Sequence, residues 1–197
     1  MLEINQLNIQ LGNHSLNYHR QIATSAIVTL QGISGVGKSS LLLCIAGFIK
    51  AQSGSILWHG KDISQMEVEQ RPVAMLFQEN NLFEHISVLQ NVRLGLVNTS
   101  DEDILQSAKQ LQIAEQLHKM PAQLSGGQRQ RVGILRTLLR PEPLILLDEP
   151  FAELDNLTRE ITADWVAQIA LSRNKTLILV THQQEDVEKL ATQNWLL

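Results

Sequence analysis

The sequence predicts an α/β fold in which a parallel sheet is flanked by helices, and three observations carry that prediction. The runs Leu144–Asp148 and Thr176–Thr181 are apolar without polar alternation, the mark of strands covered on both faces. Stretches with helical spacing, about Asn156–Leu171 and Gln184–Ala191, separate and follow these strands, and a parallel pair needs such crossovers. A glycine-punctuated loop, Gln31–Gly37, lies between the β-rich run Ile27–Leu30 and a helix start near Lys38. This is the order of a doubly wound sheet, whose ligand sits beyond the carboxyl ends of the strands.

Along the chain, the first sixty residues read as short strands joined by turns. Ile22–Leu30 is expected as one strand that ends in Ile27–Leu30. Ser55–Trp58 is a strand closed by the turn His59-Gly60, and Val73–Phe77 is a short apolar strand after Pro72. Asp101–His118 alternates at helical spacing throughout. Ser125-Gly126-Gly127 opens another helix, which Pro141 and Pro143 stop near Arg140.

The composition, 197 residues with 44% hydrophobic and 18% charged, suits one globular domain over residues 1–197. A formal charge of −4 gives no uniformly basic surface, so nucleic acid is not an expected partner. The longest apolar run, Leu41–Ala46 with Gly47, Phe48 and Ile49 behind it, falls short of the roughly 18 residues of a membrane span. Met1–Asn5 has neither the basic flank nor the apolar stretch of a secretory signal. A membrane role is therefore expected only through a partner. Cys44, a single cysteine, excludes an internal disulfide framework and suits a reducing compartment.

Gly32-Ile33-Ser34-Gly35-Val36-Gly37-Lys38-Ser39 fits the pattern G-x-x-x-x-G-K-[ST] without mismatch. Glycines let successive amides turn inward as an anion nest, at the positive end of the helix that starts near Lys38. Lys38 is placed to bridge β- and γ-phosphates, and the Ser39 hydroxyl to ligate Mg²⁺. Asp148 ends a buried strand, where it reaches the metal shell through water. Glu149 beside it is positioned to take a proton from the attacking water. His182 follows the other buried strand and is within reach of the γ-phosphate. Leu124-Ser125-Gly126-Gly127-Gln128 is a second glycine-bearing helix start, with Ser125 as cap or anion donor. Two phosphate-ready helix ends on separate lobes are best served by two copies arranged head to tail.

In this order the motifs resemble the ATP-binding subunit of ABC transporters over essentially the whole chain. Gly32–Ser39 resembles the Walker A loop, Phe77-Gln78 the Q-loop, and Leu124–Arg131 the family signature. Leu144–Pro150 resembles Walker B with its catalytic glutamate, Glu153-Leu154-Asp155 the D-loop, and Val180-Thr181-His182 the switch histidine. The resemblance implies an ABC-type core with an N-terminal antiparallel β lobe and a helical lobe at about residues 84–140. It implies ATP and Mg²⁺, the metal shared by Ser39, Gln78 and Asp148, with Glu149, His182 and Gln78 as catalytic residues. Gly32 to Ser39 and Ser40 line the nucleotide. Ser125, Gly126, Gly127 and Gln128 reach the nucleotide of the other copy in a homodimer.

Family membership further implies transmembrane permease subunits, indirectly a periplasmic solute-binding protein, and a peripheral place on the cytoplasmic face of the inner membrane. Residues Glu79–Phe83 fall where the permease docks. Arg71–Phe83 resembles importer ATPases, especially the thiamine-type subunit.

The chain departs from the family at three places. Leu11 stands where an adenine-stacking aromatic is usual, so adenine is held by apolar contact or Tyr18 substitutes. Glu153 puts charge in a D-loop position that is usually small. The C-terminal Asn194–Leu197 comes before the last hairpin and helix of many relatives, which reads as a minimal version of the family. Rival readings fit less well. DNA-repair ATPases insert long coiled coils for which there is no room, a non-hydrolysing module needs no general base, and a simple kinase leaves the signature without purpose.

Overall fold

The structure is a computed structural model that describes residues 1–12, 14–79 and 82–197. In chain order the elements are β1 (Leu2–Leu11), β2 (His14–Ile22), β3 (Ile27–Gln31), α1 (Lys38–Ala46), β4 (Ser53–Trp58), β5 (Lys61–Asp62), β6 (Val73–Leu76), α2 (Val88–Arg93), α3 (Asp101–Gln110), α4 (Gly126–Leu139), β7 (Leu144–Asp148), α5 (Asn156–Ser172), β8 (Thr176–Val180), α6 (Gln184–Leu190) and β9 (Gln193–Leu196). β1, β2, β4 and β5 pair antiparallel in the order β2-β1-β4-β5. The other five strands form a sheet in the order β6-β7-β8-β3-β9, and its ladders are parallel.

The central strands explain why no polar alternation was visible in the sequence. Ile145 and Leu147 of β7 join Leu177 and Leu179 of β8 in one buried cluster, with residues of α2 to α5. Leu144, Leu146, Ile178 and Val180 point the other way, into a second cluster with α1 and the antiparallel sheet. Every position of these two strands is buried, and the polar residues, Thr176 and Asp148, stand at their ends, where Thr176 Oγ1 accepts from the Ser25 amide.

Two elements differ from expectation. The helix expected over Asp101–His118 ends at Gln110, because Gln112 takes a positive φ of 55° and reverses the chain. Leu111, Ile113 and Leu117 stay buried after the reversal, so the apolar spacing continues while the helix does not. The strand expected over Ile22–Leu30 is two: β2 ends at Ile22, and β3 begins at Ile27 after a turn in which Ser25 has φ 61°.

The phosphate-loop helix is fastened at its far end by Arg71. The buried guanidinium donates to the Cys44 and Ile45 carbonyls in the last turn of α1, the first of which also accepts from the Gly47 amide, and to those of Met66 and Ser64. Gly47 closes α1 with φ 95°, packed so closely on Arg71 that a Cβ would stand 2.7 Å from its Nε.

Candidate functional site

Four loops lie beyond the carboxyl ends of β3, β6, β7 and β8, and the start of α4 is a separate candidate end. After β3, Gly32, Gly35 and Gly37 have φ of 153°, 82° and 103°, so the loop turns back on itself before α1 begins at Lys38. Ile33, Ser34 and Gly35 are exposed, while Val36, Ser39 and Ser40 are half-buried. No side chain caps α1, so its first-turn amides remain open to an anion. Lys38 is 6% exposed, and its ammonium donates to the Gly32 and Ile33 carbonyls at 2.9 and 3.0 Å. The amine is thereby folded into the loop that it is expected to help fill.

Tyr18 does not offer a stacking face. It is 6% exposed, and its hydroxyl donates to the Gly37 carbonyl at 3.2 Å, which makes it a buttress of the loop. A Cβ at Gly37 would stand 2.8 Å from that hydroxyl and overlap Leu16, so only glycine fits this position. Leu11 is half-buried against the same apolar cluster as Leu16.

At the end of β7, burial raises the Asp148 carboxyl above its ordinary range, opposed by the nearby Ser39 hydroxyl and Lys38. Its Oδ1 is buried without a hydrogen-bond partner. An unmet carboxylate oxygen beside a serine hydroxyl fits Mg²⁺, a hard ion that takes few protein ligands and completes its octahedron with phosphate and water. Among the described residues no cluster of three or more His, Cys, Asp or Glu cages a metal. Gln78 is exposed two residues beyond β6, the strand paired with β7, and among the described residues makes no hydrogen bond to the other site residues.

Glu149 has a φ of 48°, in the left-handed region that few non-glycine residues adopt. His182 Nε2 stands 3.1 Å from Glu149 Oε1. The adjacency of β7 and β8 places these two residues together, as the strand-end argument requires. Ser125 begins α4 with a reciprocal capping box: Ser125 Oγ accepts from the Gln128 amide, and Gln128 Oε1 from the Ser125 amide. The Gly126 and Gly127 amides belong to the first turn of α4, where the helix supplies them no carbonyl partner and its end is positive. Among the described residues no hydrogen bond or ion pair joins this helix start to the phosphate loop.

Two contacts at this end of the molecule were not legible in the sequence. Gln130, 1% exposed on α4, donates to the Glu149 and Pro150 carbonyls at 3.2 and 2.7 Å. A glutamine three residues past the signature glycines is the only trace of this in the sequence. Glu153 lies over the start of α4, where a Cβ on Gly126 would overlap its carboxylate and one on Gly127 would stand 3.0 Å from its carbonyl oxygen.

The stretch Glu79–Phe83 is described in part, since residues 80 and 81 lie outside the described residues. Leu82 packs against the helical cluster. Phe83 is 48% exposed and, with Phe48, Phe77, Leu94 and Arg140, lines a groove of about 300 Å³.

The sequence model of the ABC transporter family matches residues 16–152. The chain is 41% identical over 199 residues to the thiamine import ATP-binding protein ThiQ of Vibrio cholerae, an alignment spanning 98% of this chain and 84% of that protein. It is 44% identical over 193 residues to the protein of the same name from Haemophilus ducreyi, spanning 94% and 91%. Among solved structures, a bacterial ABC transporter cassette in dimeric form superposes with a TM-score of 0.84 at 26% identity, covering 96% of this chain and 91% of that one. The same score holds for a dimeric post-hydrolysis state of that cassette bound to ADP and Pi. With its phosphate loop, signature helix and paired carboxylates on one sheet, this chain belongs to the ABC transporter family and is an ATP-hydrolysing member of it.

Proposed function

We propose that this chain is the ATPase subunit that energises thiamine import through a separate membrane permease, working as a pair of copies closed around two ATP molecules. The thiamine-import names of relatives at 41% and 44% identity support the cargo. The observation that carries the chemistry is the Glu149 and His182 pair, 3.1 Å apart beyond adjacent strands, next to an open phosphate loop. The head-to-tail pair is supported by two anion-ready helix starts, at Gly37 and Ser125, that do not engage each other.

In this reading a nucleotide's phosphates take over the Lys38 ammonium from the Gly32 and Ile33 carbonyls, and the amides of α1 hold the same anion. Ser39 and Asp148, with Gln78 from just beyond the neighbouring strand, would hold Mg²⁺, which would offset charge on the phosphates. Glu149 accepts the proton of the attacking water, and His182 orients that carboxylate and contacts the γ-phosphate. Ser125 and the Gly126 and Gly127 amides of the other copy close the γ-phosphate side. The groove containing Phe83 receives the permease, which sets the chain on the cytoplasmic face of the membrane; no helix of the described residues is long and apolar enough to cross it. A periplasmic binding protein delivers cargo to that permease.

The test is Glu149→Gln. ATP binding is retained, turnover falls by about 100-fold or more, and a dimer persists in size-exclusion chromatography with ATP. Parental turnover would remove Glu149 as the base. In the cell, the same variant abolishes uptake of radiolabelled thiamine; undiminished uptake would rule out thiamine as the cargo.

A further inference from the structure

A line of polar side chains runs behind the Glu149 and His182 pair, hydrogen-bonded at both ends and bridged in the middle by an ion pair in which the buried Arg159 Nε has no hydrogen bond, and the sequence motifs give no sign of it. Thr181, immediately before His182, is 4% exposed. Its hydroxyl donates to Asp186 Oδ2 and accepts from the Gln183 amide, so His182 sits between two anchored neighbours. Asp186, on α6, is 3% exposed, and its Oδ1 faces Arg159 Nε at 4.0 Å. Arg159, in the first turn of α5, donates from Nη2 to the Phe151 carbonyl at 3.1 Å, two residues beyond Glu149. That first turn is itself fixed, because Asp155 accepts from the amide and hydroxyl of Thr158. A cavity of about 140 Å³ opens between Glu149, His182 and this chain of residues.

Burial raises the Asp186 carboxyl, with Thr181 and Arg159 opposing. If Asp186 served only to pack α6, an apolar side chain would serve better, since an acid this deeply buried is costly unless paired. Its two oxygens instead address the arms that carry the two reacting side chains.

We propose that Asp186 is a positioning residue for ATP hydrolysis. Through the Thr181 hydroxyl it sets where His182 stands, and through Arg159 it ties that loop to the segment bearing Glu149. The inference rests on the roles given above to Glu149 and His182.

Asp186→Asn keeps an acceptor for Thr181 and removes the charge that faces Arg159. In the full chain, kcat at saturating Mg-ATP falls by about 10-fold or more, the scale on which small misplacements of reacting groups act. ATP affinity by fluorescence titration stays within about 2-fold, because the phosphate loop is untouched. Thr181→Ser, which keeps the hydroxyl, retains parental kcat. Thr181→Val loses kcat as Asp186→Asn does, and carries the same test should Asp186→Asn not fold. In a His182→Ala background, followed by radiolabelled phosphate release, Thr181→Val lowers kcat no further, because that arm acts through His182. Parental kcat in Asp186→Asn, or the same fractional fall for Thr181→Val with and without His182, overturns the inference and leaves the site reading standing. Parental kcat in His182→Ala alone overturns both.

Discussion

Cys44 lies on α1 at 1% exposure, and burial pushes its thiol from 9.0 to about 11. Its thiolate fraction at neutral pH is therefore negligible, so thiol reagents are expected to leave the native chain unlabelled and to react once it unfolds. The same shift fixes a pH dependence. The raised pKa means that the folded state keeps its proton where the unfolded chain loses it. Its stabilising contribution is whole below pH 9 and is lost progressively up to pH 11. The loss amounts to about 2 kcal/mol across that window. Denaturant midpoints of the parent fall relative to Cys44→Ala between pH 9 and 11, and parallel curves would mean that the thiol ionises inside the fold. Lys38 and Tyr18 make a related point about single residues. Each is polar and nearly buried, and each serves the phosphate loop by bonding to its carbonyls.

Among the elements, α1 depends most on a residue outside itself. Arg71 donates to four carbonyls, two of them at the end of α1, so Arg71→Met leaves buried acceptors unmet. The expected cost is about 3 kcal/mol, read as a shift in the urea midpoint; a shift within error would show that water replaces the guanidinium. How far elements were legible in the sequence follows from the same kind of local physics. β7 and β8 were plain because burial on both faces leaves an unbroken apolar run. The end of α3 was not, since the reversal falls on Gln112 without the glycine or asparagine that usually marks such a turn. The phosphate loop and the capped start of α4 were legible because their function demands a fixed short pattern. The chain from Thr181 through Asp186 and Arg159 to Phe151 was not, because it joins residues that only tertiary packing brings together.

On the scale of the whole molecule, Glu153 bears on assembly. Its carboxylate lies over Gly126, at the positive end of α4 where the proposed pairing brings a phosphate of the other copy. The two anions compete for one place, so Glu153→Ala is expected to favour closure. In the Glu149→Gln background, the ATP concentration for half-maximal dimer falls by about 2- to 5-fold, as removal of one helix-end anion predicts. A rise, measured by light scattering against ATP, would assign Glu153 a supporting contact across the seam.

Gln130 carries a consequence for cooperativity. In the proposed pair it joins the helix assigned to one nucleotide to the backbone of the carboxylate assigned to the other. In a closed pair, strain at either nucleotide is conveyed to its counterpart along a single rigid helix. Turnover should then rise with ATP more steeply than independent sites allow, and one disabled copy should silence its neighbour.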